Sequence, residues 1–423
     1  MSVAVVEEPR SGLPGNISIW RARWLLMRYG GRQPGDVSYP GVPAAAQAEL
    51  LALVAEVAAR VGVAGPDAVL LTGFGTIRSW ASRRRRLLLV GLPLLQCLTV
   101  DEVRALVAHE LAVVDHRRAH LVVRLRALYE EAVDPLSLAP SARAETIARA
   151  THDFAVALER KADQAASSAS GLHTAARAVV KADLAAFEFA DLAFDVEEQV
   201  WQRTNAAVQD LHAGWREAVR AGAVVAALDD DTRTALMARH PSLAGAIASL
   251  SPAHVALRVA DAVPLVPLPP DLERELARHV LRREGDQWVT FAALPAGPDW
   301  LERQARAVTD QVATLLRRPP DGPAEVVEVL LTRLDELVAA NWPAQPEPPA
   351  EPEELDGTPS VVVVAEAALT ARGWRRVHPA AAGVLQGPEG EQHNLTLLAR
   401  AALDSPAALA VLLELLSRDQ LST

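Results

Sequence analysis

The segment Leu106-Val107-Ala108-His109-Glu110-Leu111-Ala112-Val113-Val114-Asp115-His116 constrains this 423-residue chain more than any other. It reads as a helix, with His109 and Glu110 at the first two positions of the H-E-x-x-H pattern. Residues four apart on a helix lie one above the other, roughly 6 Å apart, so the two histidines of that pattern converge on one ion. The glutamate then faces the water bound to it. Hydrolytic zinc sites take three protein ligands and keep a fourth position open. Here the second histidine is Val113, which donates nothing, so the segment predicts a half-site with His109 as ligand and Glu110 as general base.

The surrounding elements are ordered. Val69-Leu70-Leu71 and Arg86 to Val90 read as short strands, and Gly91 to Leu95 as a turn into a helix capped near Thr99-Val100-Asp101-Glu102. After a loop rich in Pro and Ser, a second helix carries Glu159-Arg160-Lys161-Ala162-Asp163. This order resembles the HtpX- and Oma-type gluzincins, zinc metallopeptidases of family forty-eight. The matching residues are Gly91 to Leu94, Asp101-Glu102-Val103, Ala108 to Leu111, His116, Glu159 with Asp163, and His240-Pro241 to Ile247.

The resemblance spans roughly residues 46 to 250. It implies Glu159 as the third metal ligand and Asp163 as the partner that orients a ligand histidine by hydrogen bonding. It also implies a substrate groove in which an extended peptide adds to an edge strand, around Leu70 to Trp80. Two departures fall on residues tied to chemistry: the lost ligand at Val113, and Ala246 where the family carries an arginine.

Three histidines are candidates to complete the metal set. His116 is seven residues after His109 and nearly on its face, but two turns separate them by about 10 Å. His152 stands seven before Glu159, and His240 comes from a distant segment. The expected protein is a metallopeptidase-like one, catalytically impaired, with zinc weak or absent, binding a peptide or protein in the former substrate cleft. The alternative is an active zinc-dependent hydrolase with a rebuilt site and Glu110 as base.

The fold class expected is α+β and predominantly α-helical. An N-terminal segment over 1–45 contains Trp20 and Trp24, spaced to anchor a short helix. A peptidase-like domain with a small sheet follows over 46–260, then a helical extension over 261–342. A Pro/Glu-rich linker at 343–356 precedes a small α/β module over 357–423. An aromatic series from Phe187 to Trp215 reads as core.

The net charge of −11 argues against a general nucleic-acid binder, and the basic run Arg83 to Arg86 reads as a solvated strand face. The single cysteine, Cys97, excludes an internal disulfide and fits a reducing cytoplasm. No stretch offers about 18 uninterrupted apolar residues for a membrane span, and the amino terminus does not read as a signal peptide.

Overall fold

The computed structural model describes residues 22, 41–133, 142–204, 206–224, 228–257, 264–281, 287–293, 298–341 and 358–417. Apart from Ala22, the Trp20 to Trp24 stretch lies outside these residues, as does the Pro343 to Glu354 linker. The described chain is mainly helical with small sheets, as expected. None of its helices is long and apolar enough to cross a membrane. It forms two compact units, Met1–Asp195 with Ala226–Glu284, and Val196–Val225 with Gly285–Thr423.

From residue 41 on, the first unit runs through a short strand β1 (Val42–Pro43) and helix α1 (Ala48–Val61). The apolar residues of α1 recur at three and four, which buries Leu50, Leu53, Val54 and Val57 on one face. It stops at Gly62 in the left-handed conformation. Strands β2 (Ala68–Thr72), β3 (Ile77–Ala81) and β4 (Arg86–Gly91) follow. The sheet order is β1-β2-β4-β3, with β2 and β4 parallel and the other pairs antiparallel. Leu70 and Leu71 therefore lie inside the sheet, and β3, of the segment expected at the edge, is an edge strand. Arg83, Arg84 and Arg85 are exposed on the β3–β4 turn rather than along a strand.

Gly91 is required where β4 ends. A Cβ there would lie 2.1 Å from the Phe74 carbonyl oxygen and 2.7 Å from the Thr76 backbone, so β4 passes where no side chain fits. Gly91→Ala is expected to destabilise the chain by about 1–3 kcal/mol through overpacking, read as a lower urea midpoint. An unchanged midpoint would mean that the Phe74–Thr76 turn gives way freely.

Helix α2 (Val100–Val114) is capped as its sequence predicts. Thr99 Oγ accepts from the Glu102 amide at 3.3 Å, and Glu102 Oε2 accepts from the Thr99 amide at 2.9 Å. From Val103 onward almost every residue of α2 is buried, His109 and Glu110 included. Helices α3 (Ala119–Val133), α4 (Ala142–Ser170) and α5 (Leu172–Thr204) come next. The carboxylate of Glu102, fully buried, is neutralised by α5 through Lys181 at 3.0 Å and Arg177 at 3.3 Å. Beyond lie α6 (Asp230–Arg239), a one-turn helix at Ala244–Ala248, and α7 (Pro270–Leu281).

The aromatic series divides. Phe189 and Trp215 are buried, whereas Phe187 and Phe194 are 65% and 67% exposed, which corrects the expectation of a single core stripe. Helical geometry explains it. Leu184, Ala185, Phe189 and Ala193 form the buried face of α5, and positions 187 and 194, seven apart, share the opposite one.

In the second unit, the helices at Pro298–Leu316, Pro323–Thr332 and Leu334–Asn341 share one core with the C-terminal elements. Val312, Val327 and Leu330 cluster with Val361, Leu395 and Leu412. The helices over 298–341 and the small α/β module therefore pack as one body, whereas α7, expected in the same helical extension, falls in the first unit. A three-stranded antiparallel sheet over Arg375–Arg376, Val384–Gln386 and Gln392–Asn394 completes it.

Candidate metal centre

Four buried or nearly buried side chains converge in the first unit: His109 from α2, Glu159 and Asp163 from α4, and His240 from the turn after α6. One ligand atom from each lies within 4.8 Å of all the others. His109 Nε2 is 3.0 Å from Glu159 Oε2 and 3.7 Å from Asp163 Oδ1. His240 Nδ1 is 2.9 Å from Asp163 Oδ1 and 3.9 Å from Glu159 Oε2.

Local sequence explains each placement. Glu159 and Asp163 are four apart on one helix, so both face α2 across the interface. His240 ends α6, and the Ser242 amide donates to Asp163 Oδ2 at 3.3 Å. Arg233 of α6 holds the segment after it by donating to the carbonyls of Ile247 and Leu250 at 3.1 and 3.0 Å.

The other candidates are placed elsewhere. His116 lies in the loop after α2, its amide donating to the Val114 carbonyl, and His152 is exposed on α4 beside the Tyr129 ring. Neither belongs to the cluster. Val113 is fully packed among Leu121, Leu125, Phe154, Leu158 and Ala162. Ala246 is buried as well. Asp163 turns Oδ1 towards both imidazoles, 3.7 Å from His109 and 2.9 Å from His240.

Residues without any sequence signal complete the site. Arg126, from α3, donates from Nη1 to Glu110 Oε1 at 2.8 Å, and its Nε lies 3.0 Å from Glu130 and 3.3 Å from Glu159 Oε1. On the other side, Ser79 of β3 donates to Glu110 Oε2 from its backbone amide at 2.7 Å and from its hydroxyl at 2.8 Å. Hydrogen bonds from Gly91 to Thr76 and from Ser82 to Arg85 frame the β3–β4 ladder, so the Ser79 amide falls on the free edge. Arg78 pairs with Glu130, drawing α3 against the same strand. In sequence Arg126 looks like half of an ordinary i,i+4 surface pair with Glu130.

The charges reinforce one another. Burial alone would favour neutral groups, but Arg126 and then His109 hold Glu110 far below the usual carboxylate range. The same two charges bring Glu159 down to about 2 against its burial. Burial opposes a charge on His109, yet Glu159, and then Glu110, push it up to about 10.

Two imidazole nitrogens and two carboxylate oxygens gathered in one buried cluster are a donor set that could hold a divalent metal ion. That set does not single out zinc from its first-row neighbours. No family model matches the chain, and neither curated proteins nor solved structures provide a match.

Proposed function

We propose that this chain is a metallopeptidase-like protein whose hydrolytic machinery is arrested, and that it acts by binding a peptide or protein partner. Arg126 carries this reading, because its guanidinium engages Glu110 at 2.8 Å and lies 3.3 Å from Glu159. A general base needs a lone pair aimed at water and a pKa near the working pH. Glu110 has one oxygen taken by Arg126 and the other by Ser79, and it is held strongly acidic.

The convergence of the His109-Glu110 helix, the Glu159 to Asp163 helix and the His240-Pro241 turn supports the resemblance to gluzincins. His109, His240, Glu159 and Asp163 would hold a metal, and such an ion would supply Lewis-acid polarisation of a ligand oxygen. Hydrolysis would further require Glu110 to exchange Arg126 and Ser79 for water. An added peptide strand at β3 would compete with Glu110 for the Ser79 amide, so the partner is not assigned to that edge.

A working hydrolase with a rebuilt site is the second reading, favoured by the imidazole of His240 beside Glu159 and Asp163. Assays on casein and on mixed fluorogenic peptides, with added zinc, cobalt or manganese, separate the two. Wild-type turnover is expected to equal that of Glu110→Gln. Metal-dependent cleavage that Glu110→Gln abolishes would establish the hydrolase instead.

A further inference from the structure

We infer that His240 replaces the ligand lost at Val113, so that His109 Nε2, His240 Nδ1, Glu159 Oε2 and Asp163 Oδ1 form a closed four-donor site for a first-row divalent cation. The inference stands on the cluster's own geometry and is tested by metal binding alone.

The spacing comes first. A tetrahedral site with metal–donor bonds of about 2.1 Å has donor–donor edges of roughly 3.4 Å. The four separations between a histidine nitrogen and a carboxylate oxygen, 2.9, 3.0, 3.7 and 3.9 Å, bracket that edge. Two of them are ordinary hydrogen bonds. The two longer ones are not, yet they bring each imidazole towards the second carboxylate as well.

The carboxylates are also divided in use. Glu159 turns Oε1 to Arg126 and Oε2 to the histidines. Asp163 turns Oδ2 to the Ser242 amide and Oδ1 to the histidines. Each is thus anchored by one oxygen with the other aimed into the cluster. Arg126 neutralises the outer side of the site without standing among the four donors.

The donors reach the site from three separate segments, and the i,i+4 pair among them is Glu159 and Asp163 on α4 rather than positions 109 and 113 on α2. Two imidazoles disfavour magnesium and calcium, which take oxygen ligands, and favour zinc, cobalt or their neighbours. Four protein donors also fill a tetrahedral sphere, which describes a structural site rather than one open to water.

The test uses the full chain stripped with a chelator, then titrated with zinc by calorimetry and with cobalt(II) by visible absorption. One equivalent is expected to bind, with the intense visible bands of four-coordinate cobalt. His240→Asn preserves a side-chain N–H for Asp163 but removes the ligating nitrogen, and its affinity is expected to fall at least 10-fold while its circular dichroism stays unchanged. His116→Asn and His152→Asn are expected to bind as wild type.

Absence of a bound ion in the wild type overturns the inference, as does His240→Asn binding with wild-type affinity, or a loss of binding in either control variant. Should His240→Asn unfold, the cobalt spectrum of the wild type decides, because the weak bands of six-coordinate cobalt contradict the closed site. None of these measurements depends on peptide hydrolysis, so a missing metal would leave the arrested-peptidase proposal standing.

Discussion

Arg126→Leu is expected to destabilise the metal-free chain by about 3–5 kcal/mol, the cost typical of removing one partner from a buried ion pair. Leucine keeps an aliphatic stem on α3 while withdrawing the guanidinium that faces Glu110, Glu130 and Glu159. Glu110 is only 4% exposed, so its charge has no water to turn to. Lysine at the same position should recover little, because a compact ammonium cannot bridge two carboxylates as a planar guanidinium does. Thermal melting in the presence of a chelator reads the effect directly. Saturating divalent metal should restore part of the loss, since an ion that binds only the folded chain stabilises it by mass action. A melting temperature within a degree of wild type would remove Arg126 from its assigned place as the charge that holds the site.

The second large effect is on pH. In the metal-free protein His109 keeps its proton up to about pH 10 when folded, whereas the unfolded chain releases it near 6.5. Between those values the folded state binds the extra proton, so stability falls as pH rises. The contribution is complete below about 6.5 and gone above about 10. Glu159 behaves oppositely. Its folded pKa of about 2 lies below the ordinary carboxylate value of 4.5, so its contribution is complete above 4.5 and fades as pH falls towards 2. Glu110, also lowered, adds to the same acid limb. Denaturant midpoints measured in chelator should therefore form a plateau between about pH 4.5 and 6.5, with an alkaline decline on the order of a few kcal/mol. His109→Gln should flatten that alkaline limb. An alkaline decline that persists unchanged in the variant would place its origin outside His109.

Much of the first unit was legible because its signals are local. The Thr99 and Glu102 capping box, the apolar period of Ala48 to Val61 and the Gly91 to Leu95 turn each depend on residues a few positions apart. The Glu159 to Asp163 spacing belongs to the same class. Strand β3 was harder to see, since Ile77-Arg78-Ser79-Trp80-Ala81 is short and mixed, and its pairing with β4 defines it more than its composition does. The third strand of the C-terminal sheet, Gln392-His393-Asn394, is likewise short and polar, and its pairing with Val384–Gln386 defines it.

Which side chains meet is another matter. His109, Glu159 and Asp163 were candidates from the sequence, and His240 was one of three histidines that no spacing rule could rank. The fold ranks them, because α6 and Arg233 deliver His240 to Asp163 while His116 and His152 lie elsewhere. Arg126 and Ser79 carry no sequence signal, since a salt bridge across sixteen residues and a strand amide turned to a carboxylate leave no pattern in a one-dimensional chain.

The sequence by itself determined the helices and the half-site, because capping, periodicity and i,i+4 geometry are short-range and written in residue order. Only the tertiary structure decided what surrounds that half-site: a guanidinium and a strand amide on Glu110, and a distant imidazole beside Glu159 and Asp163. Burial is the physical reason. In a low-dielectric interior each charge must find a partner, and the packing of α2, α3 and α4 sets which partner is within reach.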